Sequence, residues 1–433
     1  MALNLASPGI QVREVDLTIG RVDAVSGSIG ALVAPFTKGP VEEPQLIESE
    51  EDLLQTFGQP YSVDNHYEYW LTASSFLAYG GTMQVIRAND AGLKNATEDG
   101  APELLIKSDT HYNQLGYDDN TITGTVIAAK TPGSYANGIR VSIIDGKADQ
   151  ILTVSGISTV GMGITQSVAN RVVAGAAGTS LLDGYLKGIV TGIPESGKAE
   201  VKVLSHVSAA GTVTSVDYQS NGVYCFKASE IITPIAAGAN VGTGSTQVVT
   251  TQVDWFEQQE IVLTTKDGNG NPIKLEWDAI ADAPGTSAYA QARGGRFDEL
   301  HVVVIDDKGT ITGNAGTVLE KHLNLSKATD AEYSVGSTAY WRKYLANVSQ
   351  YIYGGSAPAG ITTTGFYGAT ATAIGTLDSD NGWDQPADSA DKGFGVTGVF
   401  TSSLTGGKNY GGKTDYTTTG ALDPGIDDIL GGL

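Results

Sequence analysis

The spacing with the sharpest chemical meaning is Gly407-Lys-Asn-Tyr-Gly-Gly412-Lys413-Thr414, which matches G-x-x-x-x-G-K-[ST]. In that loop, backbone N–H groups and a lysine cradle the phosphates of a nucleotide. The chemistry needs a strand before the loop and a helix after it, so that helix N–H groups and dipole meet the anion. Residues 396–400 can supply the strand. The stretch from Asp415 to Pro424 holds three threonines, a glycine and a proline, a composition that does not sustain a helix. The apolar run ending at Asp306 resembles a magnesium-binding strand, but it precedes the loop instead of following it. A Gly-rich surface turn is the expected reading.

The remaining candidates for chemistry are thinner. Asp267, Asn269, Asn271 and Asp278 mimic the spacing of a calcium loop, but Pro272 stands where the sharp turn belongs and strand-like runs flank the segment, so a hairpin turn is expected. His66, His111, His206, His301 and His322 are scattered, with no i,i+4 pair, no H-E-x-x-H and no G-x-S-x-G elbow anywhere. Only His301 lies beside carboxylates, Asp298 and Glu299, at a predicted strand start. The single cysteine, Cys225, sits among Val223, Tyr224 and Phe226 and reads as a packed thiol; it excludes an intrachain disulfide and a cysteine-based zinc cluster. The chain is expected to be no enzyme and to carry no cofactor and no metal.

The elements around these residues change character along the chain. Residues 1–22 read as an extended arm, in which Ile10 and Val12 alternate on one phase and Val15, Leu17 and Ile19 on the other, with a slip at Arg13-Glu14 of the kind a β-bulge allows. Such an arm can be an edge strand of its own domain or can add a strand to a neighbouring subunit. Residues 23–95 predict an α/β piece. It has a strand over 30–36, a short helix capped by Ser49 and Asp52 that carries Leu53, Leu54 and Phe57, a second helix with Tyr67, Trp70, Leu71, Ser74 and Leu77, and a strand over 83–88. Residues 96–130 read as a small β-rich insertion, 131–148 as a returning core strand, and 149–290 as a β-rich unit of short Val/Thr/Ile runs, among them 200–204, 247–253 and 261–265. Strands are also expected at 121–128 and 139–144. From 291 to 433 the α/β character returns, with an apolar strand over 300–305 and helices over 317–325 and 337–353. The fold class is α+β and multidomain: a discontinuous α/β core interrupted by a β-rich inserted domain, preceded by a strand arm.

Composition narrows the partners. With 26 Lys+Arg against 48 Asp+Glu the formal charge is -22, which repels phosphate backbones and anionic lipid, so no direct nucleic-acid partner is expected. The 56 glycines, with abundant Thr, Ser and Val, favour short strands and tight turns. No apolar run approaches the roughly 18 residues of a membrane span, and Met1 to Gly9 lack a basic and an apolar region, so no membrane insertion and synthesis in a cytoplasm are expected.

Several segments, taken in order, resemble the tail sheath proteins of contractile phages. Ser7-Pro-Gly-Ile-Gln-Val-Arg-Glu-Val15 is similar to the family's opening arm, Phe36-Thr-Lys-Gly-Pro40 to the turn after its first core strand, and Asp52-Leu-Leu-Gln-Thr-Phe-Gly58 to its helix end. Phe76-Leu-Ala-Tyr-Gly-Gly81 with Val85-Ile-Arg-Ala88, Pro132-Gly-Ser-Tyr-Ala-Asn-Gly138 with the strand that follows, Phe297-Asp-Glu-Leu-His301 and Leu404-Thr-Gly-Gly407 resemble later elements. The resemblance implies a virion subunit, made in the host cytoplasm, that polymerises as stacked hexameric rings around a tail tube. It implies self-association, tail tube, baseplate and tail terminator partners, and contraction that drives the tube through the host envelope. It also implies that Ile10, Val12, Val15, Leu17 and Ile19 form an inter-subunit arm. The family's core continues beyond the Leu-Thr-Gly-Gly turn, so the last residues, with Ile426, Ile429 and Leu430, are expected to lack a C-terminal core part. A β-rich receptor- or glycan-binding tail protein and a nucleotide-binding protein are the alternatives.

Overall fold

The computed structural model describes residues 29–59, 66–120, 122–169, 171–172, 181–235, 242, 245–358 and 392–410. Strands dominate them and helices are few and short. The first described unit is α/β, with β1 (Ile29–Ala34), β2 (Gln45–Ile47), α1 (Glu50–Phe57), α2 (His66–Ala78) and β3 (Thr82–Arg87). β3 is central, parallel to β1 and antiparallel to β2. Ser49 Oγ accepts the Asp52 N–H at 3.1 Å to start α1, and Gly58 ends it at φ +79°, where a side chain would run into Thr37 Oγ1. Leu53 and Phe57 of α1, and Trp70, Ala73 and Leu77 of α2, bury against Ala34, Ile47, Met83 and Val85.

The chain then lays down β4 (Thr97–Glu98), α3 (Asp109–Gln114), β5 (Ile127–Ala129) and β6 (Ile139–Asp145). Only the end of the strand expected over 121–128 forms, as β5. After β6 the chain leaves for an eight-stranded sheet: β7 (Gln150–Thr153), β8 (Gly163–Ser167), β9 (Tyr185–Gly192), β10 (Lys198–Val207), β11 (Val213–Ser215), β12 (Ile231–Pro234), β13 (Gln247–Val248) and β14 (Thr251–Asp254). The stretch expected as one strand over 247–253 is bent between its halves. β13 pairs with β12 and β14 pairs with β7, at opposite ends of the strand order, so the sheet curls until one run of chain closes it into a barrel. Leu152, Ile164, Leu186, Val190, Val201, Val203, Phe226, Ile232 and Val249 fill its interior. Gly188 must be glycine there, because a Cβ would come within 2.6 Å of the Phe226 ring. Closure satisfies strand edges that would otherwise be open.

The Trp255 N–H donates to the Asp149 carbonyl at 3.0 Å, so the chain enters and leaves the barrel at one point. It continues as the hairpin β15 (Glu260–Lys266) and β16 (Pro272–Glu276), α4 (Ala288–Gln291), β17 (Gly295–Arg296), β18 (Glu299–Asp306) and β19 (Thr317–Ser326). Then come the small ladder β20 (Glu332–Ser334) and β21 (Ser337–Thr338), α5 (Trp341–Val348), β22 (Ile352–Gly354), β23 (Lys392–Gly393), paired with β17, and β24 (Val399–Thr405). The seven-stranded central sheet has the order β19-β18-β6-β24-β4-β5-β22. β6 lies between β18 and β24, so strands more than 150 residues apart in sequence are direct neighbours. One face of this sheet packs under α5 through Val141, Ile143, Val302, Val304, Trp341 and Leu345. The other packs against the 255–280 stretch through Ile144, Val303, Ile305, Trp255, Ile261 and Trp277.

Two expected helices are corrected. Residues 317–325 form β19, not a helix: β18 offers an antiparallel ladder, slipped in register between Leu300 and Val302 and between Val304 and Ile305, whose cooperative pairing outweighs local helix propensity. Residues 337–353 are helical only over Trp341–Val348. The helix ends where Ser349 Oγ accepts the N–H groups of Tyr351 and Ile352, turning the chain into β22.

Candidate functional site

The residues that looked chemical are used for construction. In the Gly-rich run, the Asn137 side chain pairs with Gly407 through both its amide groups, Lys408 bridges to Lys94 across the backbone and to Glu103 through Nζ, and Asn409 donates to Ser134 Oγ. Residues 411–414 of that run lie outside the described residues. The strand before it is β24, which ends two residues short of Gly407. Asp267 Oδ1 accepts the N–H groups of Asn269 and Asn271, both at 2.8 Å, closing a hairpin turn; those amides hold its carboxyl below the usual range. Asp306 accepts three consecutive N–H groups, from Thr310, Ile311 and Thr312, and so builds the turn after β18. Asp307 binds Thr264 and Ser403. Cys225 is buried with its Sγ on the Gly222 carbonyl, and burial pushes its thiol up, away from the reactive thiolate. Among the described residues no group of three or more His, Cys, Asp or Glu side chains is placed to hold a metal ion.

What the folded chain does build is a set of buried polar joints between its pieces. Arg87, at the end of β3, is fully buried and donates to the carbonyls of Gly39 at 2.9 Å and Pro132 at 2.6 Å. It also reaches Thr37 O at 3.4 Å and Tyr410 OH at 3.3 Å. One guanidinium thus ties the α/β unit to both the turn before β6 and the segment after β24, its planar fork suited to several acceptors at once. Beside it Lys38 lies between the rings of Tyr135 and Tyr351, 5.6 and 5.2 Å from their centroids. Burial lowers the Lys38 pKa, and Glu320 opposes that shift.

A second joint ties the barrel to β17 and the residues that lead into β18. Arg296 donates to the carbonyls of Leu204 and Val216 at 2.8 Å and to Asp217 at 3.1 Å. Phe297 next to it adopts φ +62°, a backbone state that strains a bulky residue. That state sets the Phe297 ring between Lys202 and Arg296, against Leu204, Ile189 and Ile235. A third joint is the ion pair of Asp145 with Lys327, 3.3 Å apart and both fully buried; Asp145 also accepts the N–H groups of Thr397 and Gly398. Burial lowers the Lys327 pKa while Asp145 pulls it the other way. These joints were not singled out from sequence. Arg87, Gly39 and Pro132 stood in sequence only within separate segments that resemble the family, and nothing local shows that the carbonyls of residues 39 and 132 and the hydroxyl of Tyr410 meet at one guanidinium.

β19 is an outer strand of the central sheet, with β18 on one side. Its far end is covered where Ser326 N–H donates to Ala339 O, while residues 317–323 lack a second strand among the described residues. The arm residues Ile10, Val12, Val15, Leu17 and Ile19 lie outside the described residues, as do Ile426, Ile429 and Leu430.

No family model matches the chain. Over 88 residues, 20% of its length, it is 35% identical to the tail sheath protein of Enterobacteria phage T4. Over 149 residues, 34% of its length, it is 29% identical to the tail sheath protein of Vibrio phage KVP40. These matches span 13% and 20% of the relatives' own lengths. The crystal structure of a sheath tail protein from Listeria innocua aligns over 52% of this chain and 34% of that one, at 16% identity and TM-score 0.18, too low to carry an argument. Over these stretches the chain is similar to phage tail sheath proteins.

Proposed function

We propose that this chain is a structural subunit of a contractile phage tail sheath, with no catalytic step of its own. The observation that carries the reading is the 149-residue match to a tail sheath protein. In this reading copies polymerise as stacked hexameric rings around a tail tube, meet baseplate and tail terminator proteins at the ends, and contract to drive the tube through the host envelope. The subunit is made in the host cytoplasm and resides in the virion tail. The work comes from new interface burial summed over many copies, at about 25 cal/mol per Å2 of apolar surface.

The architecture suits such a load. The core is discontinuous, built from residues 23–95, 131–148 and 291–433, with 149–290 as the inserted β-rich unit and 96–130 as a small insertion whose two ends, β4 and β5, join the central sheet. The barrel is the part of that unit that faces outward, and the 255–280 stretch braces the central sheet. The N-terminal arm, through Ile10, Val12, Val15, Leu17 and Ile19, lends a strand to a neighbour, for which the uncovered run 317–323 of β19 offers a row of backbone donors and acceptors. Sedimentation of the chain with and without residues 1–20 tests the arm: the shortened chain is expected to fold and stay monomeric, and unaltered polymer from it removes the arm from the account.

A further inference from the structure

We propose that His301 is an acid-sensitive staple: as a neutral imidazole it holds both the outer strand β19 and the segment returning to β18, and its protonation releases them. The register between β18 and β19 slips at this point. Leu300 faces Leu325 and Val302 faces His322, so His301 alone stands opposite two residues, Leu323 and Asn324. Such a bulge leaves a backbone N–H without a ladder partner, and here Asn324 takes φ +55° and donates its N–H to His301 Nδ1 at 3.0 Å. The other ring nitrogen, Nε2, donates to the carbonyl of Asp282 at 2.9 Å. Both positions of the ring are therefore committed, one as acceptor and one as donor, which only the neutral form can do. A proton on Nδ1 would point at the Asn324 N–H inside a site that leaves His301 1% exposed.

The returning segment depends on the same short stretch of chain. Gly285 N–H donates to Glu299 Oε2, Glu299 N–H to Gly285 O, and Ser287 to Asp298 through both its N–H and its hydroxyl. The charged groups around the ring are Asp282 from the returning segment and Glu299 and Asp298 from the start of β18. β6 places Ile144 opposite, the hairpin side places Trp277 with its ring 6.5 Å away, and on β19 His322 is bonded to Glu320. Burial lowers the His301 pKa from 6.5 even though Asp282 pulls it up. A depressed imidazole contributes stability that is present above pH 6.5 and is lost as pH falls through the lower folded value. Glu299 has the opposite sign: burial and Asp298 raise its pKa, so its protonation favours the folded seam and does not loosen it. Glu320 on β19, held low against burial by His322, Ser349 and Gln350, shares the sign of His301 but loosens the strand only below the ordinary carboxylate value of 4.5. Loosening in mild acid thus belongs to His301.

The test is hydrogen exchange at the Asn324 amide of the full chain from about pH 8 to about pH 5, corrected for the intrinsic rate. Protection is expected to be level above the ordinary imidazole range and to fall by up to about tenfold per pH unit below it, while Val190 inside the barrel stays level. In His301→Asn, whose side-chain oxygen accepts from Asn324 but does not titrate, the fall should disappear. A level wild-type profile, or a fall that survives in His301→Asn, overturns the proposal. Should the variant not fold, the His301 ring resonance of the wild type decides instead: a midpoint at or above 6.5 overturns it, and one below supports it.

Discussion

Replacing Arg87 by methionine should unfasten the α/β unit from the rest of the molecule while leaving the barrel intact. Arg87 makes two short bonds to buried carbonyls, Gly39 O at 2.9 Å and Pro132 O at 2.6 Å, and two long contacts at 3.3 and 3.4 Å. Hydrogen bonds from a charged donor contribute about 1.5–3 kcal/mol each, so losing the two short ones costs about 3–6 kcal/mol. Methionine fills similar volume and no longer requires a buried charge, which returns part of that cost. The net destabilisation is expected near 2–4 kcal/mol, or a roughly 30- to 1000-fold loss of amide protection. Because several units need not unfold together, the assay is residue-resolved hydrogen exchange. Amides of β3 and of the turns at Gly39 and Pro132 should lose protection, and those of β9 and β10 should not. Arg87→Lys, which keeps the charge without the fork, should fall between. Protection within about twofold of wild type in Arg87→Met, or an equal loss in the barrel, would refute the idea that one guanidinium holds the joint.

Other expectations follow from the same geometry. Lys327→Met strands Asp145 in the interior with only the Thr397 and Gly398 amides, and hydrogen exchange at the amides of β6 and β18 should report a loss of about 3–5 kcal/mol. Gly188→Ala drives a Cβ to within 2.6 Å of the Phe226 ring and 2.8 Å of the Lys202 carbonyl, so barrel amides should report a loss of about 1–3 kcal/mol with the central sheet little changed. Replacing residues 150–254 by a short Gly/Ser linker should leave a soluble, folded core, because Asp149 and Trp255 already meet through a 3.0 Å hydrogen bond. A core that fails to fold without the barrel would count against its being a separable insert.

The legible parts of the molecule were those specified locally. Ser49 and Gly58 bracket α1 by their own chemistry, the run from Leu300 to Ile305 could be little other than a buried strand, and Asp267 to Pro272 announces a turn. β19 was misread because Val318, Leu319, His322 and Leu323 also satisfy a helical spacing, and only the presence of β18 alongside decides between the two periods. The bend at Val249-Thr250 was invisible for a related reason: closure of the barrel is a property of β12, which lies shortly before it in the chain, and of β7, which lies far upstream, and not of the bent run itself. Of the site, the acidic neighbours of His301 stood out in sequence, but their use in fastening residues 282–287 did not. The carbonyl acceptors of Arg87 and Arg296 carry no side-chain signature at all.

Negative-stain electron microscopy of the full recombinant chain tests the central claim most directly. The account predicts hollow, transversely striated rods of uniform width; a field of isolated particles that stays unassembled as protein concentration is raised would contradict it.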